Sequence, residues 1–357
     1  MKSETEFVPP FTVGGQAVIE GVMMRSPSAV ATAVRKQNGE IVVTHRPFRG
    51  IGSRHRWLNI PVLRGGINLI ETLVLGMQSL NYSADQAMED AERAAKAAPG
   101  ANGGAPGANG GAPTAATATG GAAVASPKTG SKPESKPKAW GQQLSMMATM
   151  VVAFGLGLGF FFYLPLVLTE WTGVRGGVAF NLVDGVFRIV FFLAYLWGIS
   201  LWKEMRRVFQ YHGAEHKSIF VFEAGLPLEP EQSQRFTTLH PRCGTSFLLL
   251  VMLTSIVVFT FLGRPETIGE RLVRLAFVPL IAGIAYELIK LSGKRACQRW
   301  MMPLILPGLW LQKITTKEPS LDQVEVAMTA IRACLAYEKV EAKPAARPEL
   351  ALQGARA

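Results

Sequence analysis

The residues best suited to chemistry in this sequence lie in one polar island, positions 211–217, and in a short motif that follows it. The chain contains only five histidines and three cysteines. His212, His216, His240 and Cys243 all fall in this region. Imidazole nitrogen and thiolate sulfur are the protein ligands that Zn²⁺ prefers. This segment is therefore the first place to look for a metal site.

The spacing inside the island is that of a helical metal site. His212 and His216 are four residues apart, so on a helix they lie on one face, one turn apart. With Glu215 beside them they form His-x-x-Glu-His, the inverted zinc-protease pattern. In such sites two imidazoles hold the ion and the carboxylate acts as a general base toward water. A match of five residues also fits polar histidines at an interface, so both interpretations stay open.

The remaining ligands are left open by the sequence. Glu223 lies seven residues after His216, again near the same helical face, and would supply an oxygen ligand. Alternatively, His240 and Cys243 would complete a set of three nitrogens and one sulfur. Four protein ligands make a closed structural site, whereas three ligands and a water leave the site open for catalysis.

A basic cluster precedes the island by one or two helical turns. It consists of Lys203, Arg206 and Arg207. We predict that these side chains bind an anionic substrate or a lipid headgroup near the metal. The plainer alternative is that they only anchor the chain at a membrane surface that carries negative charge.

Composition indicates a membrane protein. The chain of 357 residues has a mean hydropathy of +0.21 and only 18% charged residues, which is too apolar for an average soluble protein. Four apolar blocks have lengths suited to spanning a bilayer. They cover residues 144–168, 178–202, 244–263 and 272–289. Asp184 and Arg188, four residues apart in the second block, are predicted to pair near its far end.

The basic residues predict the orientation of these spans. The net charge is +11, but lysine and arginine mostly flank the apolar blocks, so nucleic-acid binding is not needed to explain them. Six of them lie between the second and third blocks, more than in either opposite connection. The rule that positive loops stay inside therefore places the histidine island and both termini in the cytoplasm.

The N-terminal region, residues 11–90, is predicted to be a small cytoplasmic α+β unit. Asn38-Gly39 between two apolar runs is a strong signal for a β-hairpin with a type I′ turn. Residues 62–80 have apolar positions at helical spacing. This amphipathic helix would either lie on the membrane surface or pack on the β unit, and the sequence favours neither.

The fold class predicted overall is a polytopic α-helical membrane protein with about four transmembrane helices and this α+β unit. A disordered Ala/Gly/Pro linker at 94–139 precedes a membrane domain at 140–312, whose cytoplasmic His/Cys loop covers 203–243. Within that domain, Pro303 and Pro307 are expected to break the segment 300–311 into an interfacial or re-entrant piece. A cytoplasmic helix at 313–340 and a disordered tail at 341–357 complete the chain.

Four motifs resemble the YqhQ-like family of bacterial membrane proteins. They occupy residues 14–25, 211–217, 240–246 and 307–319. The resemblance covers residues 11–90 and 140–335, and the Ala/Gly/Pro linker stands out as an insertion. It implies a membrane location and a metal, because the family is described as predicted metal-dependent enzymes of unknown function. It supplies no substrate.

These observations lead to one hypothesis and two rivals. The hypothesis is a zinc-dependent hydrolase at the cytoplasmic face of the bacterial inner membrane, acting on a peptide or a lipid-linked group. The first rival is a membrane scaffold or assembly factor with a structural metal site. A transporter is less favoured, because the spans contain few polar residues near mid-bilayer. Glu287, near the end of the fourth block, is expected to pair with Lys290 or to reach the metal site.

Overall fold

The computed structural model of the protein describes residues 9, 11–54, 60–97, 140–292 and 295–338. The predicted disordered tail and nearly all of the predicted linker lie outside these residues. Residues 55–59 also lie outside them. The first four linker residues, 94–97, are instead the last turn of a helix.

The N-terminal residues form a four-stranded antiparallel sheet in the order of the sequence. Its strands are β1 Gly14–Val18, β2 Gly21–Arg25, β3 Ala29–Arg35 and β4 Ile41–Pro47. The first two strands lie close together in the sequence. A tight connection separates them, in which Glu20 takes a φ of 51° and Gly21 packs directly on the backbone of β3.

The hairpin at Asn38-Gly39 is present, but its turn is not of type I′. The amide of Lys36 donates to the carbonyl of Glu40, and the amide of Gly39 donates to the carbonyl of Lys36, both at 2.9 Å. Only Gly39 has positive φ, at 87°, whereas a type I′ turn needs it at both central residues. The loop therefore has three residues and a glycine bulge, and the side chain of Asn38 accepts from the amide of Glu40 instead.

A short helix, α1 Ile51–Arg54, is followed by the long helix α2 Leu63–Ala97. One face of α2 packs on the sheet, where Leu75 contacts Met23 and Val30. Its opposite face is apolar and exposed, with Leu73 66% accessible. The helix thus packs on the β unit, as one alternative predicted, and also keeps the apolar outer face that the membrane-surface alternative requires.

Four helical stretches are long and apolar enough to cross a membrane, as predicted from the apolar blocks. They are Val151–Trp171, Gly177–Ser200, Gly244–Leu262 and Ile268–Leu291. The first is built from α3 Trp140–Leu158, a π-helical turn Gly159–Tyr163 and α4 Leu164–Trp171. Pro165 has no amide hydrogen to donate, and a wider turn before it absorbs the break in the hydrogen-bond ladder.

The other three stretches contain helices α5, α7, α8 and α9. Their bounds are α5 Gly177–Ser200, α7 Gly244–Leu262, α8 Ile268–Ala276 and α9 Val278–Ser292. Helices α6 Lys203–Glu223, α10 Arg295–Thr315 and α11 Leu321–Tyr337 complete the fold. The predicted pair of Asp184 and Arg188 is confirmed, at 2.8 Å on α5.

Two predictions for the last part of the chain were wrong. The segment 300–311 is not broken, because α10 runs through both Pro303 and Pro307. It packs against α7 and α9, and such packing holds a helix whose ladder lacks two donors. Glu287 pairs with Arg64 of α2, at 2.6 Å, rather than with Lys290. The two helices approach closely there, since Gly65 packs on Gly283.

The sheet, α6 and α11 share one hydrophobic core. Met24 and Ala31 from the sheet, Tyr211 from α6 and Met328 from α11 are buried together in it. Three segments that look separate in sequence thus fold into one α+β body. Helix α6 continues directly from α5, whereas α7 starts and α10 ends beside α6. The α+β body and the bundle of apolar helices therefore meet around α6.

Candidate metal centre

His212 and His216 project from the same side of α6, and their ring centroids are 4.5 Å apart. Cys243 is the residue that caps the start of α7, and its Sγ lies 3.2 Å from Nε2 of His212. The potential ligand atoms of these three residues all lie within 4.8 Å of one another. The fold thus brings together a donor set from two helices that are separated by a loop of about twenty residues.

The orientation of both imidazoles is fixed by backbone carbonyls. Nδ1 of His212 lies 2.8 Å from the carbonyl oxygen of Thr315, and Nδ1 of His216 lies 2.5 Å from that of Thr238. A carbonyl oxygen can only accept, so each Nδ1 carries the hydrogen. Each Nε2 is then left with its lone pair free, which is the arrangement that metal-binding histidines usually have. The donor chemistry of the three residues therefore fits a zinc ion.

The two carbonyls are held by close packing of the chain around α6. Gly213 lies against the backbone of Lys317, where a Cβ would overlap the carbonyl oxygen. The amide of Lys317 also donates to the carbonyl of Phe209, at 2.9 Å. The stretch that carries Thr315 is thus pinned to the helix that carries the histidines.

A buried glutamine holds the loop before Cys243. Gln312 is fully buried, and its side chain both accepts from the amide of His240 and donates to the carbonyl of His240, each at 2.8 Å. It also donates to Ser246 Oγ on α7, at 2.8 Å. Sequence reasoning did not assign Gln312, Thr315 or Gly213 any role. The sequence pointed to these residues only in that they lie within the motifs shared with the YqhQ-like family.

His240 and Glu223, two of the five predicted ligands, face each other instead of joining the group of three. His240 Nε2 is 3.7 Å from a carboxylate oxygen of Glu223, and Glu223 also binds Arg242. The amide of Arg242 donates to His240 Nδ1, at 3.3 Å, so that nitrogen has no free lone pair to offer a metal. Burial lowers the pKa of His240, opposed by Glu223. His240 therefore lies beside the group of three, with its Nε2 facing Glu223.

The carboxyl group of Glu215 is buried between α6 and strand β1. The amide of Gly15 donates a hydrogen bond to it, and a Cβ on Gly15 would overlap its side chain. Burial raises the pKa of Glu215 to about 7, against the opposing effects of His212 and of the Gly15 amide. A carboxyl with such a pKa can take up or release a proton near neutral pH. The contact between Gly15 and Glu215 therefore joins strand β1 to the part of α6 that carries the two histidines.

The predicted substrate-binding cluster lies on the exposed surface of α6. Lys203, Arg206 and Arg207 are all exposed. Arg207 binds Glu20, in the connection between β1 and β2, with Nη2 at 2.6 Å from the carboxylate. Five residues along a helix turn through about 140° beyond a full turn, so Arg207 and His212 face different directions. Arg207 thus contacts the sheet, and no contact between described residues joins the cluster to the three potential ligands.

The chain is similar to proteins whose activity has not been described. A family profile described as "Protein of unknown function (DUF1385)" matches residues 60–337. The "Uncharacterized protein YqhQ" of Bacillus subtilis (strain 168) is 30% identical over 335 residues, which cover 93% of this chain and 94% of that protein. No solved structure matches the chain. The family prediction made from the four motifs is confirmed, and the chain belongs to the DUF1385 family.

Proposed function

We propose that the protein is a zinc-dependent hydrolase that works at the cytoplasmic face of a bacterial inner membrane. The observation that carries the proposal is the pair of Nδ1 contacts to the carbonyls of Thr315 and Thr238. They leave two Nε2 lone pairs and one thiol converging on the same small space. Packing alone would require an acceptor for each imidazole N–H, but it would not require the opposite nitrogens to converge on the same thiol.

The location of the site supports the membrane part of the proposal. Cys243 caps the first turn of an apolar helix of 19 residues, and Thr315 ends the helix beside it. The site therefore lies where the α+β body joins helices suited to a bilayer. The excess of lysine and arginine on this side favours the cytoplasmic face. A substrate held in the membrane, such as a peptide segment or a lipid-linked group, would meet the site at that boundary.

The donor set favours an open site over a closed one. His212, His216 and Cys243 would hold the ion, leaving a fourth position for water or substrate. A zinc ion held in this way supplies Lewis acidity and a water that ionises near neutral pH. Glu215 is our candidate for the group that accepts and returns the proton, with its carboxylate oriented by the amide of Gly15.

The contact between Cys243 and His212 favours a second candidate function. At 3.2 Å from Sγ to Nε2, and with Nδ1 held by a carbonyl, the pair has the layout of a cysteine nucleophile with its base. In that case the protein would be a cysteine hydrolase without metal. The scaffold with a structural metal site remains the non-enzymatic rival.

Cobalt substitution distinguishes an open site from a closed one without knowledge of the substrate. Purified protein would be stripped of metal, loaded with Co²⁺, and titrated with azide or acetohydroxamate while its visible spectrum is recorded. An open site should show a saturable spectral change, because the added anion takes the fourth position. A cobalt spectrum that does not respond to either anion would indicate a closed site and favour the scaffold.

Replacing the thiol by a carboxylate separates the metal hydrolase from the cysteine hydrolase. Cys243→Asp keeps a metal ligand but removes the nucleophile, so the protein should still bind Co²⁺ and still hydrolyse a probe ester such as 4-nitrophenyl acetate. Glu215→Gln should bind Co²⁺ normally and lose most of the hydrolysis. If Cys243→Asp still binds Co²⁺ but no longer hydrolyses the ester, the result would instead support the cysteine hydrolase, with Cys243 as its nucleophile. Activity that survives in Glu215→Gln would remove that residue from the mechanism.

A further inference from the structure

A line of buried polar side chains runs along α5, far from the metal centre. Asn181, Asp184 and Arg188 lie on one face of the helix, and none is more than 9% exposed. Arg188 is eleven residues beyond Gly177, the start of α5, which corresponds to about 16 Å of helix. It therefore lies near the middle of a candidate membrane span, deeper than the far interface where the sequence had placed it. An ionisable group at such a depth is a functional-site hypothesis by default.

Arg274 on α8 faces the same interior and forms no ion pair with any residue that the structure describes. It is 7% exposed. Its Nη2 donates to the Asn181 side chain, at 2.8 Å, and to the carbonyl of Gly263. Its Nη1 is buried and has no hydrogen-bond partner among the described residues. Both of its partners are neutral, so nothing that it binds directly carries a compensating charge.

The ion pairs next to Arg274, among the residues that the structure describes, do not include it. Arg188 pairs with Asp184, at 2.8 Å, and Arg271 pairs with Glu170, at 2.9 Å. These two ion pairs leave Arg274 out, and the carboxylates that act on it, Asp184 and Glu270, do so without a hydrogen bond to it. A buried charge without a partner is strongly unfavourable, and buried ions in proteins are usually paired. An anion placed at the buried Nη1 of Arg274 would supply the direct partner that this group lacks.

A cavity of about 230 Å³ adjoins these arginines. Arg188, Arg271 and Arg274 lie in its wall. The rest of the wall is mainly apolar, with contributions from Leu158, Phe162, Leu166, Phe259 and Leu275. Leu275 is 43% exposed, so this wall continues onto the outer surface of the apolar helices. A ligand entering from that surface would meet apolar side chains first and guanidinium groups at the end.

We propose that this cavity binds the headgroup of a phosphate-bearing amphiphile. Guanidinium groups match the geometry and charge of phosphate oxygens, and the unpartnered Nη1 of Arg274 would donate to one of them. The apolar wall would hold the first part of the hydrocarbon chain. A free phosphate would gain nothing from that wall. The headgroup of a phospholipid and that of a polyprenyl phosphate share this chemistry.

The test uses the full-length protein in detergent and measures retained lipid by native mass spectrometry. Delipidated protein would be offered phosphatidylglycerol, a polyprenyl monophosphate, or diacylglycerol, which has the same tails as the phospholipid but no phosphate. About one phosphate-bearing lipid per chain should be retained, and diacylglycerol at least tenfold less. Whichever phosphate lipid binds more tightly identifies the source. Equal retention of diacylglycerol would overturn the proposal.

Two variants and one control connect the binding to this cavity. Arg274→Gln should lower occupancy at least tenfold, because it removes the unpaired charge. Leu158→Trp keeps every arginine and should also lower lipid occupancy, because the larger side chain fills the cavity. It therefore tests the location of the lipid even if Arg274→Gln does not fold. Arg175→Gln removes the same charge from an exposed position at the same end of the bundle and should bind as the wild type does. Wild-type occupancy in folded Leu158→Trp would place the lipid elsewhere.

Discussion

A single methyl group at Gly213 should weaken the metal site without touching any ligand. In Gly213→Ala the new Cβ would overlap the carbonyl oxygen of Lys317 by roughly 1 Å relative to the ordinary contact distance of 3.4 Å or more. Because that oxygen belongs to the backbone, the overlap is relieved only if α6 and the 315–317 stretch move apart. The hydrogen bond from His212 Nδ1 to Thr315, at 2.8 Å, spans this gap and should break.

The magnitude follows from what that hydrogen bond does. Loss of a group that orients a metal-bound histidine typically lowers metal affinity by about 10- to 100-fold. Overpacking should cost about 1–3 kcal/mol of stability, of which alanine's better helix propensity returns about 1 kcal/mol. We therefore expect a folded variant, destabilised by at most about 2 kcal/mol, whose zinc affinity falls by more than tenfold.

The assay is a zinc titration in competition with a chromophoric chelator, accompanied by thermal unfolding of the metal-free protein. Gly244→Ala is the matched control. It makes the same change next to Cys243, where a new Cβ would meet nothing within 4 Å, and its zinc affinity should equal that of the wild type. A folded Gly213→Ala protein with wild-type affinity would refute the claim that the 315–317 stretch orients His212.

Two further predictions concern contacts between elements that are distant in the sequence. Lys217 is only 5% exposed and pairs with Glu318, so Glu318→Gln should lower the unfolding free energy by about 1–2 kcal/mol. Glu325→Gln, whose partner Arg35 is less deeply buried than Lys217, should change it by less than about 1 kcal/mol, and equal effects in thermal unfolding would contradict this account. On α2, Leu75→Ala should lower the unfolding free energy by about 2–3 kcal/mol, because that side chain is buried against the sheet. Leu73→Ala should have little effect in detergent, since its side chain is 66% exposed, and a loss as large as that of Leu75→Ala would mean that this face is covered.

The parts of the fold that were predictable are those set by local pattern. Four apolar stretches of span length are visible in the composition, and the spacing of His212 and His216 places them on one helical face whatever else the chain does. The i,i+4 pair on α5 follows from the same geometry. A capping motif likewise marks the start of α11, where the side chain of Ser320 accepts from the amide of Gln323.

What could not be predicted depends on contacts between distant segments. The choice of Cys243 over His240 as neighbour of the histidines is made by Gln312, which fixes the loop from 72 residues away. Glu287 had a helical neighbour of opposite charge, but α2 brings Arg64 closer. A proline at position 303 predicts a helix break from local sequence. The segment stays helical because α10 packs against other helices.

The central claim is tested most directly by zinc content, measured by elemental mass spectrometry on detergent-purified protein. Four proteins would be compared: the wild type, His216→Ala, Cys243→Ser and His240→Ala. We predict about one zinc per chain in the wild type, its loss in His216→Ala, a marked reduction in Cys243→Ser, and full retention in His240→Ala, whose ring lies beside the site but faces Glu223. Absence of metal from the wild type after zinc reconstitution would contradict the account, and so would loss of zinc in His240→Ala with retention in Cys243→Ser.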